Sequence, residues 1–142
     1  MLLGFLDRYR DYGPLCLRIA LGLVMMGHGS QKLFGAFGGG GLSGTAGFFD
    51  QIGLAPGLFW ATVAAIVETF GGLLVFIGLL TRVAGVLIAI TMFVAMVWVH
   101  LPNGFFLQNK GIEFTLVLFS MATALALTGP GAVSADAMAT KR

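Results

Sequence analysis

A single cysteine, Cys16, excludes an internal disulfide and any Cys-x-x-Cys redox pair, and with them a dithiol cycle. Iron–sulfur clusters and structural zinc sites fall to the same count. Charge is scarce as well. Asp, Glu, Lys and Arg make up 10% of the 142 residues and 58% are hydrophobic, far too apolar a balance for a soluble domain. The net charge of +2 is scattered along the chain, which argues against nucleic acid as a partner. No long polar linker and no tandem repeat interrupt it. The glycine run Gly38–Gly41 follows no strand and precedes no Gly-Lys-Ser/Thr, so it reads as a hinge or tight turn and not as a phosphate loop. Cys16 lacks a lipoprotein pattern before it, and no small-x-small cleavage site follows the first apolar run, so the first helix is expected to be retained.

Four apolar segments fill the chain: roughly Leu15–Gly35, Gly57–Leu80, Val83–Leu101 and Ile112–Gly129. They predict an all-α integral membrane protein, an antiparallel four-helix bundle forming one domain over residues 1–142 in a lipid bilayer. Leu2–Tyr12 mixes apolar and charged residues as an interfacial segment does, and Ala132–Arg142 is expected to be loosely ordered. Arg8, Arg10, Arg18, Arg82, Lys141 and Arg142 fall on one side and only Lys32 and Lys110 on the other, which predicts both termini in the cytoplasm. Ala61, Ala64, Ala65, Glu68, Gly71, Gly72 and Val75 share one side of the second segment at helical spacing, a stripe that permits close helix approach. Gly85 with Ala89, and Ser120 with Ala124, suggest similar steps on the third and fourth.

Glu68 is the sole charge between Gly57 and Thr81. A helix of that length spans the ~30 Å hydrocarbon core and places the carboxylate near its middle. There it costs at least ~2.5 kcal/mol on insertion scales, so it must face a partner or a polar cavity. His28 and Lys32, four apart on the first segment, share a face. With the expected topology, His28, Lys32, His100, Lys110 and Glu113 all lie in the outer half of the membrane. The connections Leu42–Pro56 and Pro102–Lys110, with Phe48, Phe49, Phe105 and Phe106, can fold over that mouth. Glu68, His28 and Lys32 are therefore the candidate proton-transfer residues; His100, Glu113, Phe105 and Phe106 are candidates for holding a ligand at the outer mouth. The plainer reading is a structural ion pair that fixes helix register, with Lys110 and Glu113 an interfacial pair and the phenylalanines packing or lipid contacts. Which of Lys32, His28 and Arg18 pairs with Glu68 is open at this level. No metal is expected, since His28, His100 and Glu68 show no ligand spacing.

These blocks resemble the DoxX family of small four-helix bacterial membrane proteins. The resemblance runs through Arg18-x3-Gly22, the His28–Gly35 block HGSQKLFG, Glu68-Thr-Phe-Gly71-Gly72, Gly78-Leu-Leu-Thr-Arg82, Gly111-Ile-Glu113 and the Gly129–Asp136 ending GPGAVSAD. It implies residence in the bacterial inner membrane. It also implies kinship with the membrane subunit of a thiosulfate:quinone oxidoreductase, and with membrane partners of thiol-stress and superoxide-detoxifying proteins. Two functions follow as expectations. One is a redox-associated subunit that takes a quinone from the membrane and works with an oxidoreductase partner. The other is a non-enzymatic scaffold or small transporter, a homo-oligomer among its forms, in which Arg82 and the tail recruit partners.

Overall fold

The computed structural model describes residues 2–140, which form seven helices and no strand. Short α1 (Leu2–Asp7) precedes α2 (Gly13–Phe34). Helix α3 (Gly41–Gln51) leads into α4 (Gly57–Ile77) and α5 (Thr81–Asn103), then α6 (Glu113–Thr128) and a short α7 (Ala135–Thr140). The four predicted segments correspond to α2, α4, α5 and α6 within a few residues. The expected connection Leu42–Pro56 is instead largely helical, and α3 packs along the first half of α4. Asp50 at the end of α3 fastens the two, its carboxylate accepting from the Gly57 N–H at 2.7 Å.

Helix α2 packs on α4, α4 on α5, α5 on α6, and α6 returns to α2. Every member of the small-residue stripe on α4 is buried, as its spacing requires. Gly22 and Gly29 of α2 face it so closely that neither has room for a Cβ: at Gly22 one would stand 2.9 Å from the Gly72 carbonyl. The α5–α6 seam runs differently from the expectation. Gly85 lies against Ala122 and Ala126, half a turn from the anticipated Ser120 and Ala124, and Ser120 faces outward. The larger buried residues, among them Leu21, Met25, Ile88, Leu118 and Leu125, lie between the helices, while Ile66, Phe70, Leu87, Ile90, Phe93 and Val117 are exposed. Small residues inside and large apolar ones outside suit a protein solvated by lipid. Helices α4 and α5, of 21 and 23 residues, contain 18-residue stretches of mean hydropathy 1.9 and 2.3 and are long and apolar enough to cross a membrane.

The chain ends meet at the face of the molecule opposite α3. Gly78 ends α4 in the left-handed conformation (φ 73°), where a β-carbon would also strike the Arg18 guanidinium. Buried Arg18 donates to Val75 O (3.0 Å), Phe76 O (3.1 Å), Pro130 O (2.9 Å) and Val133 O (2.6 Å). It thereby ties the C-terminal carbonyls of α4 to the segment after α6. Asp136 completes the knot by accepting from the N–H groups of Leu80 (2.9 Å) and Thr81 (3.1 Å). The tail, expected to be loose, is thus docked through Asp136 and helical to Thr140; Lys141 and Arg142 lie outside the described residues. Arg82, anticipated as a partner contact, donates instead to Ala126 O, Leu127 O and Thr128 O at the end of α6.

Candidate functional site

Helix α4 is not regular through its centre. Val67–Gly71 forms one π-helical turn, and Glu68 lies inside it. A π-turn inserts one extra residue, about 100° of rotation, and such turns favour functional positions. The turn directs Glu68 toward α2. There Lys32 Nζ donates to Glu68 Oε2 at 2.6 Å. Of the three basic residues left open by the sequence, Lys32 makes the pair; Arg18 belongs to the knot at the opposite end. Gly29, one turn before Lys32, permits this approach, because any side chain there would collide with Thr69 and with Glu68, whose carbonyl carbon would be 2.8 Å from its Cβ.

The two partners are unequally enclosed. The Glu68 side chain is 4% exposed and that of Lys32 25%, because Lys32 reaches Glu68 across the floor of a cavity of about 930 Å³. His28 lines the same space one turn below Lys32, its ring 6.0 Å from that of Phe114. Thr45, Phe48 and Phe49 of α3, Trp60 and Val63 of α4, and Thr91, Ala95 and Trp98 of α5 form walls. The volume falls in the range of small-molecule sites, and the surroundings are mainly apolar with a few convergent polar groups. Lys32 has three N–H donors and spends one on Glu68, so two remain for a ligand.

The outer-mouth candidates separate. His100 lines the rim of the cavity, and its Nδ1 lies 2.7 Å from Lys110 O. A carbonyl only accepts, so Nδ1 carries the hydrogen. Glu113 instead closes the 104–113 loop, its Oε2 accepting from the Leu107 N–H at 2.8 Å. Among the described residues it makes no ion pair with Lys110, contrary to the expected interfacial pair. Phe105 and Phe106 stack edge to face at 5.3 Å, both exposed and away from the cavity walls. Trp60, Trp98, Thr45 and Phe114 contribute walls that sequence reasoning did not single out. The available signal was that the only two tryptophans sit near the same end of two adjacent apolar segments.

Close-packed helices with small residues inside, large apolar residues outside and one buried Lys–Glu pair beneath a cavity define a polytopic helical membrane protein with an internal polar site. The chain belongs to the DoxX family, which it matches over residues 13–101. It is 39% identical over 126 residues to "Putative oxidoreductase CatD" of Bacillus subtilis (strain 168), covering 89% of this chain and 86% of that protein. It is 34% identical over 142 aligned positions to "Uncharacterized membrane protein Rv3486" of Mycobacterium tuberculosis (strain ATCC 25618 / H37Rv), covering 90% and 82%. No solved structure matches the chain.

Proposed function

We propose that this DoxX protein is a quinone-linked subunit of a membrane oxidoreductase system, acting as one transmembrane domain in the bacterial inner membrane with both termini cytoplasmic. The observation that carries the proposal is the placement of the Lys32–Glu68 pair. A pair whose sole task is helix register has no need of open space, yet here the ammonium borders a 930 Å³ cavity with His28 beside it. The name of the Bacillus relative points the same way. The orientation rests on Arg8, Arg10, Arg18 and Arg82, which lie toward the terminal face, against Lys32 and Lys110 toward the α3 face.

Reducing a quinone to a quinol takes two electrons and two protons. A reduced flavin or metal centre in the partner oxidoreductase supplies the electrons; this chain supplies the site. Lys32 donates to a quinone oxygen and stabilises the oxyanion that forms on electron arrival. His28 and Glu68 exchange protons with it, a task suited to a titratable pair shielded from bulk water. His100 lies at the mouth, where Glu113 shapes the adjoining loop.

The direct test is native mass spectrometry of the protein in mild detergent, with solvent extraction of bound small molecules. A stoichiometric quinone, lost in Glu68→Gln or Lys32→Ala while the variants stay folded, is the expected result. Quinone-dependent turnover with the partner system should also vanish in Glu68→Gln; normal turnover there would end the proton-transfer role. A wild-type protein that carries no quinone, or only ordinary phospholipid, would favour the scaffold or transporter.

A further inference from the structure

The cavity is not closed on all sides. Helix α5 packs on α4 only from the π-turn inward; the stretch Gly57–Ile66 of α4 makes no comparable packing with α5, whose Met96–His100 turn rests on α6 instead. The two helices therefore diverge over the half nearer α3 and leave a slot between them. Its walls are Trp60 and Val63 on one side and Ile90, Val94 and Trp98 on the other. These five line the cavity, and each is more than a third exposed. The slot extends about 12 Å along α4, from the level of Glu68 to Trp60.

We infer that the site is loaded sideways from the bilayer by an amphiphile, whose hydrogen-bond-accepting head reaches Lys32 and whose apolar tail stays in the slot between Trp60 and Trp98. The identity of the head as a quinone rests on the function proposed above; the route does not. Polarity along the opening supports this occupant. Its inner end offers two unspent N–H donors of Lys32 and the His28 ring, which makes no hydrogen bond among the described residues, whereas its outer walls are aliphatic and indole surface. A water-soluble anion matches the inner end but not the slot, and a lipid chain alone matches the slot but leaves the donors unmet. Tail transfer from lipid to slot exchanges one apolar setting for another, so the head supplies the selectivity and the slot supplies the route.

The test is photo-crosslinking of the full chain in nanodiscs with a decyl-benzoquinone bearing a diazirine on its tail, followed by peptide mapping. Adducts on Trp60–Val63 and Ile90–Trp98 that excess unlabelled quinone abolishes are the expected result. Ala95→Phe, which fills the slot from the α5 side, should remove them; Val63→Phe on the facing wall makes the same test should the first variant fold poorly. Competable adducts on the Phe105–Leu107 loop instead would overturn lateral entry while leaving the quinone reading intact. Competable slot adducts from a diazirine fatty acid but not from the quinone would uphold the route and overturn the quinone. Absence of competable adducts with both probes overturns both.

Discussion

Glu68 and Lys32 form a buried pair in which each partner makes the other tolerable. Removing one leaves an uncompensated charge between helices, which typically costs ~3–5 kcal/mol. Lys32→Met is therefore expected to lower the thermal midpoint in detergent sharply, and Lys32→Met combined with Glu68→Gln should recover most of the loss. Additive losses in that cycle would show that the two residues are not coupled. Among the described residues Arg18 is the other buried charge, and it has no carboxylate partner within bonding reach. Four of its five N–H donors are met by carbonyls from two chain segments, a geometry a lysine cannot reproduce. Arg18→Lys should lose at least two charge-assisted hydrogen bonds at ~1.5–3 kcal/mol each. Limited proteolysis would read this as rapid cleavage after α6, and a tail as resistant as the wild type would contradict it.

Among the elements, α4 decides the site. Its stripe of small residues was legible from spacing, because burial of a helix face is periodic and local. The π-turn was not: Val67–Gly71 contains no proline, and its residues suit an ordinary helix equally well. The extra residue exists because packing against Gly29 and Ile88 rewards it, and that reward lies in other helices. Gly29 is accordingly expected to be intolerant. Gly29→Ala should cost ~1–3 kcal/mol by forcing α2 away from the π-turn, and it should weaken quinone retention by lengthening the Lys32–Glu68 contact. Unchanged melting and ligand content in that variant would show that the helix contact has slack. Helix α3 lies in the stretch expected to be a connection; docking on α4 and the Asp50–Gly57 bond hold it helical.

Across the whole molecule, the terminal face is held by a knot of Arg18, Asp136 and the carbonyls around them. Slight burial raises the Asp136 pKa, but the N–H donors of Thr81 and Leu80, with the Arg18 charge, outweigh that and hold the carboxyl below its ordinary range. The sign follows from linkage. A carboxyl depressed in the folded state contributes stability above its unfolded pKa of ~3.9 and loses it as the pH falls through the lower folded value. Tail docking should therefore be insensitive to pH between neutrality and about pH 5, and should weaken only below ~4. A spectroscopic label at Met138 replaced by cysteine, with Cys16→Ser, would follow it. Release of the tail near pH 6 would assign the knot to some other group.

Composition and spacing alone settled that this chain is helical and lives in a membrane, where its long segments lie, and that Glu68 must be sheltered. Those conclusions depend on the cost of exposing polar groups to lipid, which each residue meets wherever its helix packs. The tertiary structure decided that Lys32 is the partner, that Arg18 serves the opposite end, that Glu113 shapes a loop, and that α4 and α5 part to leave a slot. These depend on how helices are rotated and shifted against one another. A few close glycine contacts and two π-turns, Val67–Gly71 in α4 and Met96–His100 in α5, set those rotations, and a single residue of shift carries a side chain about 100° around its axis.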